Sequence, residues 1–150
     1  NMNIPVRNFL TLMSESVTED CEINFLVGWP FENTYDRKEK VTKLLKQVTN
    51  GIFMSRKQSP NGGRITNITF HLLTSNDLSK QENKGKWHER YIRFDTLNRI
   101  VIADGFDNLF LNKDIIQKDN TIVRQNFDKN HDTEIERDFI TLSTSFPFSK

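Results

Sequence analysis

A histidine and an arginine two residues apart, His88 and Arg90, are the side chains of this 150-residue chain best suited to phosphate chemistry. On an extended strand alternate side chains share a face, so the two are expected to point the same way. A guanidinium holds a phosphate group through paired hydrogen bonds, and an imidazole can attack phosphorus or transfer a proton. The spacing therefore predicts a phosphate site, the alternative being that Glu89 or Asp107 merely pairs with these two side chains.

A β-hairpin is expected to position the pair. Tyr91–Phe94 and Arg99–Ala103 have the composition of short strands, and the four residues between them are typical of a turn. Ile92 and Phe94 share a face with His88, and their side chains are expected to pack in the core and so hold the first strand in place.

The segment resembles a known family. His88, Arg90 and Asp95 match the H-x-K-x4-D motif of the phospholipase D superfamily, with Arg where Lys is usual. Gly105-Phe106-Asp107-Asn108 stands where that superfamily has G-S-x-N. The H-E-R and G-F-D sequences are also similar to motifs of the phospholipase D-like C-terminal domain of MIT-domain proteins and their bacterial relatives.

The resemblance implies a role for each matching residue. His88 would be the nucleophile that forms a phosphohistidine, and Arg90 would bind phosphate. Asn108 would hydrogen-bond a phosphate oxygen, and Asp95 would support the site. Catalysis in the superfamily uses two motifs and needs no metal or cofactor. Because this chain has one motif, a complete active site would require a homodimer.

Nine basic side chains precede or enter the hairpin and form a candidate binding surface. They are Arg56, Lys57, Arg64, Lys80, Lys84, Lys86, Arg90, Arg93 and Arg99. Trp87 and Tyr91 lie among them, and cations with stacking rings suit single-stranded nucleic acid or a phospholipid headgroup. Lys86 and Arg93 flank the motif and are predicted to bind phosphate as well. An ordinary mixed surface is the alternative, because acidic residues interrupt the set.

The other histidines and the single cysteine favour structural roles. His71 lies in a strand pattern, where a hydrogen-bonded core histidine is expected. His131 lies among polar residues and is expected in an exposed turn, without a bound metal. Cys21 excludes an internal disulfide and is expected to be a partly buried apolar side chain.

Composition narrows the class of protein. Hydrophobic residues make up 35% of the chain, including 12 Phe, which is typical of one globular domain over residues 1–150. The net charge of +1 gives no overall attraction to nucleic acid or to anionic membranes. There is neither an apolar run of membrane-spanning length nor a signal-peptide pattern, so a cytoplasmic location is expected.

Hydrophobic periodicity predicts an α/β fold with a mixed, mostly parallel sheet flanked by helices, and the resemblance makes it phospholipase D-like. A strand, a helix and a strand over Cys21–Gly28, Asn33–Asn50 and Ile65–Thr74 are typical of a parallel βαβ unit. The remaining predicted elements are a helix at Ile4–Ser16, an exposed mobile loop at Ser75–Lys86, a strand at Thr121–Phe127 and a helix at Thr133–Thr144.

The leading interpretation is a phospholipase D-like module that binds a phosphodiester or a phosphorylated ligand. As a homodimer it would be a metal-independent phosphodiesterase or nuclease. One alternative is a non-catalytic module that binds a protein or membrane partner. Another is a nucleic-acid-binding domain of a bacterial or phage defence system.

Overall fold

A computed structural model describes residues 3–29, 35–55, 64–87, 91–93, 98–102, 122–126 and 129–149. The helices are α1 (Asn3–Ser16), α2 (Tyr35–Ser55), α3 (Ser75–Ser79) and α4 (Lys129–Leu142), with a 3-10 turn at Gln81–Asn83. The strands are β1 (Cys21–Trp29), β2 (Ile65–Thr74), β3 (Tyr91–Arg93), β4 (Asn98–Ile102), β5 (Ile122–Asn126) and β6 (Thr144–Ser149).

The strands form two three-stranded sheets, with the orders β1-β2-β6 and β3-β4-β5. Strands β1 and β2 are parallel and enclose α2 in the chain, which confirms the predicted βαβ unit. The expectation of a mostly parallel sheet is wrong, because the other three pairings among the described strands are antiparallel. The four residues between β3 and β4 are too few for a parallel crossover. The fold is thus mixed α/β, with a small mixed sheet flanked by helices.

An aromatic core joins the first sheet to helices α1 and α2. Phe25 of β1 stacks on Phe70 of β2, with ring centroids 4.8 Å apart. Phe9 of α1 meets Phe25 edge-on at 5.8 Å, and Phe148 of β6 meets Phe70 edge-on at 6.2 Å. Because the side chains of a strand alternate, the odd positions of β1 and the even positions of β2 supply this face.

Helix α2 does not end at Asn50, where the Asn-Gly pair predicts its stop. It continues through Gly51 to Ser55 and buries Ile52 and Phe53 in the core. A glycine inside a helix costs about 1 kcal/mol, whereas burying an apolar side chain gains about 1.5–3 kcal/mol. The two additional buried side chains therefore outweigh the unfavourable residue.

The predicted mobile loop at Ser75–Lys86 is wrong over most of its length, because α3 and the 3-10 turn occupy it. The Thr74 hydroxyl accepts a hydrogen bond from the Asp77 amide at 3.2 Å and donates to the Asp77 carboxylate at 2.7 Å. The buried Asn83 side chain donates to the Asp77 carbonyl at 2.7 Å. These local bonds provide an acceptor for a backbone amide at the start of α3 and fix the 3-10 turn that follows the helix.

The carboxyl-terminal elements differ from the prediction in two respects. Helix α4 begins at Lys129, so His131 lies within a helix rather than in a turn. Strand β6 follows α4 almost directly and was not predicted, since it is short and contains Pro147. Proline is tolerated because β6 has one neighbour, β2, among the described strands. No helix in the described part of the chain has the length and apolar character to cross a bilayer.

The aromatic core provides a direct test of this packing. Phe70 is fully buried and contacts rings from both neighbouring strands. Phe70→Ala should lower the free energy of unfolding by about 3–5 kcal/mol, measured by urea denaturation. Tyr35→Ala is the control, because Tyr35 is 80% exposed and its loss should change stability by no more than about 0.5 kcal/mol. Equal losses in the two variants would contradict the core described here.

Candidate functional site

The residues predicted to act in phosphate chemistry divide into two groups. His88, Arg90, Asp95 and Asn108 lie outside the described residues. Lys86 and Arg93 lie within them, on either side of residues 88–90. Both of these cations face helix α4, where each meets a carboxylate.

Arg93 and Tyr91 of strand β3 hold the carboxylate of Glu136. The Tyr91 hydroxyl donates to Oε1 at 2.8 Å. Arg93 Nε lies 3.0 Å from Oε1 and 3.1 Å from Oε2, and Arg93 Nη2 donates to Oε2 at 2.9 Å. A guanidinium edge that faces two oxygens of one group is the bidentate geometry with which arginine recognises carboxylates and phosphates. Tyr91 and Arg93 are called the oxyanion fork below.

The second cation, Lys86, pairs with Asp138 of the same helix. Its Nζ lies 3.2 Å from Asp138 Oδ2 and 5.5 Å from the centroid of the Trp87 ring. The Trp87 indole donates to the carbonyl oxygen of Ile135 at 3.1 Å and packs edge-on against the buried Phe139. Trp87 is therefore fixed to α4 through both its polar and its apolar parts.

The residues on either side of His88–Arg90 are thus bonded to α4. Trp87 bonds to Ile135 and Tyr91 bonds to Glu136, which is the next residue along the helix. Strand β3 pairs with β4 in antiparallel register, with Tyr91 opposite Val101 and Arg93 opposite Arg99. The predicted hairpin is confirmed, and α4 is the element that positions its first strand.

Acidic partners accompany much of the predicted basic surface. Of the cations in this set whose side chains the structure describes, four lie within 4.0 Å of a carboxylate, namely Arg64, Lys80, Lys86 and Arg93. Exposed pairs of this kind contribute about 0–1 kcal/mol each to stability. The carboxylates also reduce the positive potential around all four cations. In the described part of the chain this surface is therefore of mixed charge.

A second polar cluster lies on the opposite side of the first sheet from the aromatic core. His71 of β2 bridges its neighbours, with Nδ1 2.8 Å from Ser145 Oγ on β6 and Nε2 3.1 Å from Asn24 Oδ1 on β1. The next polar pair along this face is Asn67 Nδ2 donating to Glu22 at 2.8 Å. His71 is only 7% exposed, so the prediction of a hydrogen-bonded core histidine is confirmed.

Burial of His71 lowers the pKa of its imidazole from the ordinary value of 6.5, because desolvation penalises the charged ring. A neutral imidazole can donate from Nε2 to the Asn24 oxygen and accept at Nδ1 from the Ser145 hydroxyl. The cluster therefore joins all three strands through uncharged hydrogen bonds. The alternation of Asn24 with apolar neighbours in β1 is the signal that could have indicated this polar face.

The remaining predictions concern metals and the cysteine. In the part of the chain that the structure describes, no three His, Cys, Asp or Glu side chains are grouped to hold a metal ion. Cys21 is partly buried and packs against the aromatic core, which confirms the prediction of a partly buried apolar side chain. Its amide donates to the Arg64 carbonyl at the start of the β1–β2 pairing.

Comparison with known proteins finds no family model, no curated protein and no solved structure that matches this chain. The likeness to phospholipase D-like domains therefore rests on the sequence motif.

The His71 cluster predicts a pH dependence of stability. Because the folded chain holds the His71 proton more weakly than the unfolded chain, stability should be complete above the ordinary pKa of 6.5 and should fall as the pH drops below it. Urea denaturation at about pH 7.5 and about pH 5.5 measures this loss. His71→Gln should show a smaller loss, since it lacks the titrating ring. The same loss in both proteins would exclude His71 as the cause.

Proposed function

We propose that this chain binds a phosphodiester or phosphorylated ligand at the segment from Lys86 to Asn108, as a phospholipase D-like module. The observation that carries the proposal is the oxyanion fork, in which Tyr91 and Arg93 direct a hydroxyl and a bidentate guanidinium edge at one anionic group. A phosphate offers the same pair of oxygen acceptors as a carboxylate.

The sequence motif supplies the remaining groups of the proposed site. His88 and Arg90 lie between Trp87 and Tyr91, both of which are anchored on α4. Strand β3 continues from Tyr91 to Arg93 in the hairpin. Residues of a binding site must be held in place if they are to act together, and these anchors hold the strand that follows His88 and Arg90 in the chain. We propose Lys86, Arg90, Arg93 and Asn108 as the phosphate ligands.

Hydrolysis is the second part of the proposal. The chain has a single motif, so we propose that two copies associate and bring two His88 side chains to one phosphodiester. One His88 would attack phosphorus and form a phosphohistidine, with Asp95 supporting the site, while the second His88 would donate its proton to the leaving oxygen as the phosphorus–oxygen bond breaks. Water would then cleave the phosphorus–nitrogen bond and release the product. Neither step requires a metal.

The pairing of Lys86 and Arg93 with acidic partners favours a second candidate. A module whose cations are partly neutralised would bind a protein or membrane partner without catalysis.

Single-stranded nucleic acid and anionic lipid headgroups both present phosphodiesters, so separate binding experiments are needed to distinguish these two sources.

Binding should be tested with fluorescent oligo-dT and with vesicles that contain phosphatidylserine, each at several salt concentrations. We expect the affinity for the true ligand to fall as salt rises, with a logarithmic slope of about −0.7 for each single-strand phosphate contacted. Arg90→Gln should weaken binding and reduce that slope. Binding that is insensitive to salt would contradict the proposal. Absence of binding to both probes in the wild type and also in Glu136→Gln, which lacks the carboxylate paired with Arg93, would contradict it as well.

Hydrolysis should be tested with bis(p-nitrophenyl) phosphate in the presence of EDTA. We expect turnover by the wild-type chain and a loss of at least about 100-fold in His88→Ala, because the variant lacks the nucleophile. His131→Ala is the matched control and should retain activity, since His131 lies outside the motif. Sedimentation should show that the active species is a dimer. Equal rates in wild type and His88→Ala would exclude the phosphohistidine and leave only the binding function.

A further inference from the structure

The carboxylate of Glu136 is held as a protein holds an anionic ligand. Each of its two oxygens accepts two hydrogen bonds of 2.8–3.1 Å, and the donors are Tyr91 and Arg93. Its side chain is only 15% exposed, whereas the Arg93 side chain is 34% exposed. The fork therefore surrounds the carboxylate while remaining accessible from solvent.

The same helix supplies a carboxylate to the other described cation of the proposed site. Asp138 pairs with Lys86, two residues along α4 from Glu136. Both described members of the predicted phosphate-binding set are thus engaged by acidic side chains of one element. Two such pairs on one helix are more informative than a single surface ion pair, because they occupy the two sides of one predicted site.

We propose that Glu136 occupies a phosphate-binding position in cis, so that helix α4 competes with the ligand. This inference rests on the proposed function. A phosphodiester binds the oxyanion fork only after the Glu136 side chain withdraws into solvent, and the ligand oxygens then accept the hydrogen bonds of Tyr91 and Arg93.

Competition of this kind lowers the apparent affinity in a defined way. A ligand that binds only when the fork is open has its affinity reduced by the fraction of chains in which the fork is open. The Glu136 side chain lies beneath the more exposed Arg93, and a rotation of the side chain toward solvent allows the carboxylate to be hydrated when it leaves. Replacing the carboxylate with an uncharged amide removes a charge-assisted partner of Arg93 and increases the open fraction.

The test compares two substitutions that change the net charge equally. Glu136→Gln removes the competing carboxylate. Glu134→Gln removes an exposed carboxylate from the same helix and serves as the matched control. With oligo-dT as the probe, Glu136→Gln should bind about 10-fold more tightly than wild type, whereas Glu134→Gln should change affinity less than about 2-fold because of salt screening.

A double-mutant cycle with Arg93→Gln identifies the group for which Glu136 competes. If the carboxylate blocks the guanidinium, the gain from Glu136→Gln should disappear when Arg93 is already absent. Urea denaturation of each variant checks that the fold is retained.

The outcomes separate the two proposals. Equal affinities of Glu136→Gln and Glu134→Gln, or a gain that persists without Arg93, would overturn competition while leaving ligand binding intact. Absence of oligo-dT binding in the wild type, with binding in Glu136→Gln, would support both proposals. Absence of binding in every protein, Glu136→Gln included, would overturn this inference; if vesicles are not bound either, the proposed function fails with it.

Discussion

Strand β2 is buried along both faces from Phe70 to Thr74. The elements around the first sheet must therefore cover both sides of this strand. Its even positions enter the aromatic core between the sheet and helices α1 and α2. Its odd positions carry His71 and Leu73 toward the opposite side, where helix α4 contacts the strand. A strand covered on both faces favours apolar side chains, and Phe70, Leu72 and Leu73 supply them in the doubly buried part of β2.

The two buried polar residues of β2, His71 and Thr74, remain compatible with burial because each has a hydrogen-bond partner. His71 bridges to both neighbouring strands, and Thr74 begins α3 through its bonds with Asp77. The pKa of the Asp77 carboxyl is lowered by hydrogen bonds from Lys80 and Thr74, so the charged form that pairs with Lys80 is favoured. Satisfied polar groups thus allow one strand to serve two packing interfaces.

Helix α4 has a comparable organising role for the candidate site. Trp87 anchors to it on one side, and the oxyanion fork of β3 anchors to it on the other. The same helix also neutralises two cations, Arg93 within the hairpin and Lys86 before it. The position of strand β3 and the electrostatic potential around it are therefore coupled. The Glu136 carboxylate that holds Tyr91 and Arg93 in place also reduces the positive charge of Arg93.

The sequence by itself determined the local elements: helix α1, the parallel β1-α2-β2 unit, the β3–β4 hairpin and the hydrogen-bonded role of His71. The helices, strands and turns follow from periodicity and turn chemistry, which act between residues close in the chain. For His71 the strand pattern predicted burial and hydrogen bonding, whereas its partners Asn24 and Ser145 lie 47 and 74 positions away. Tertiary structure decided the extension of α2 past Gly51, the order in residues 75–83, the pairing of β6 and the engagement of Arg93 by Glu136. These depend on the burial of side chains and on a contact between residues 43 positions apart, for which the sequence has no local signal. The motif at His88 identifies the chemistry to test, and only the fold shows that an acidic helix lies against the cations beside it.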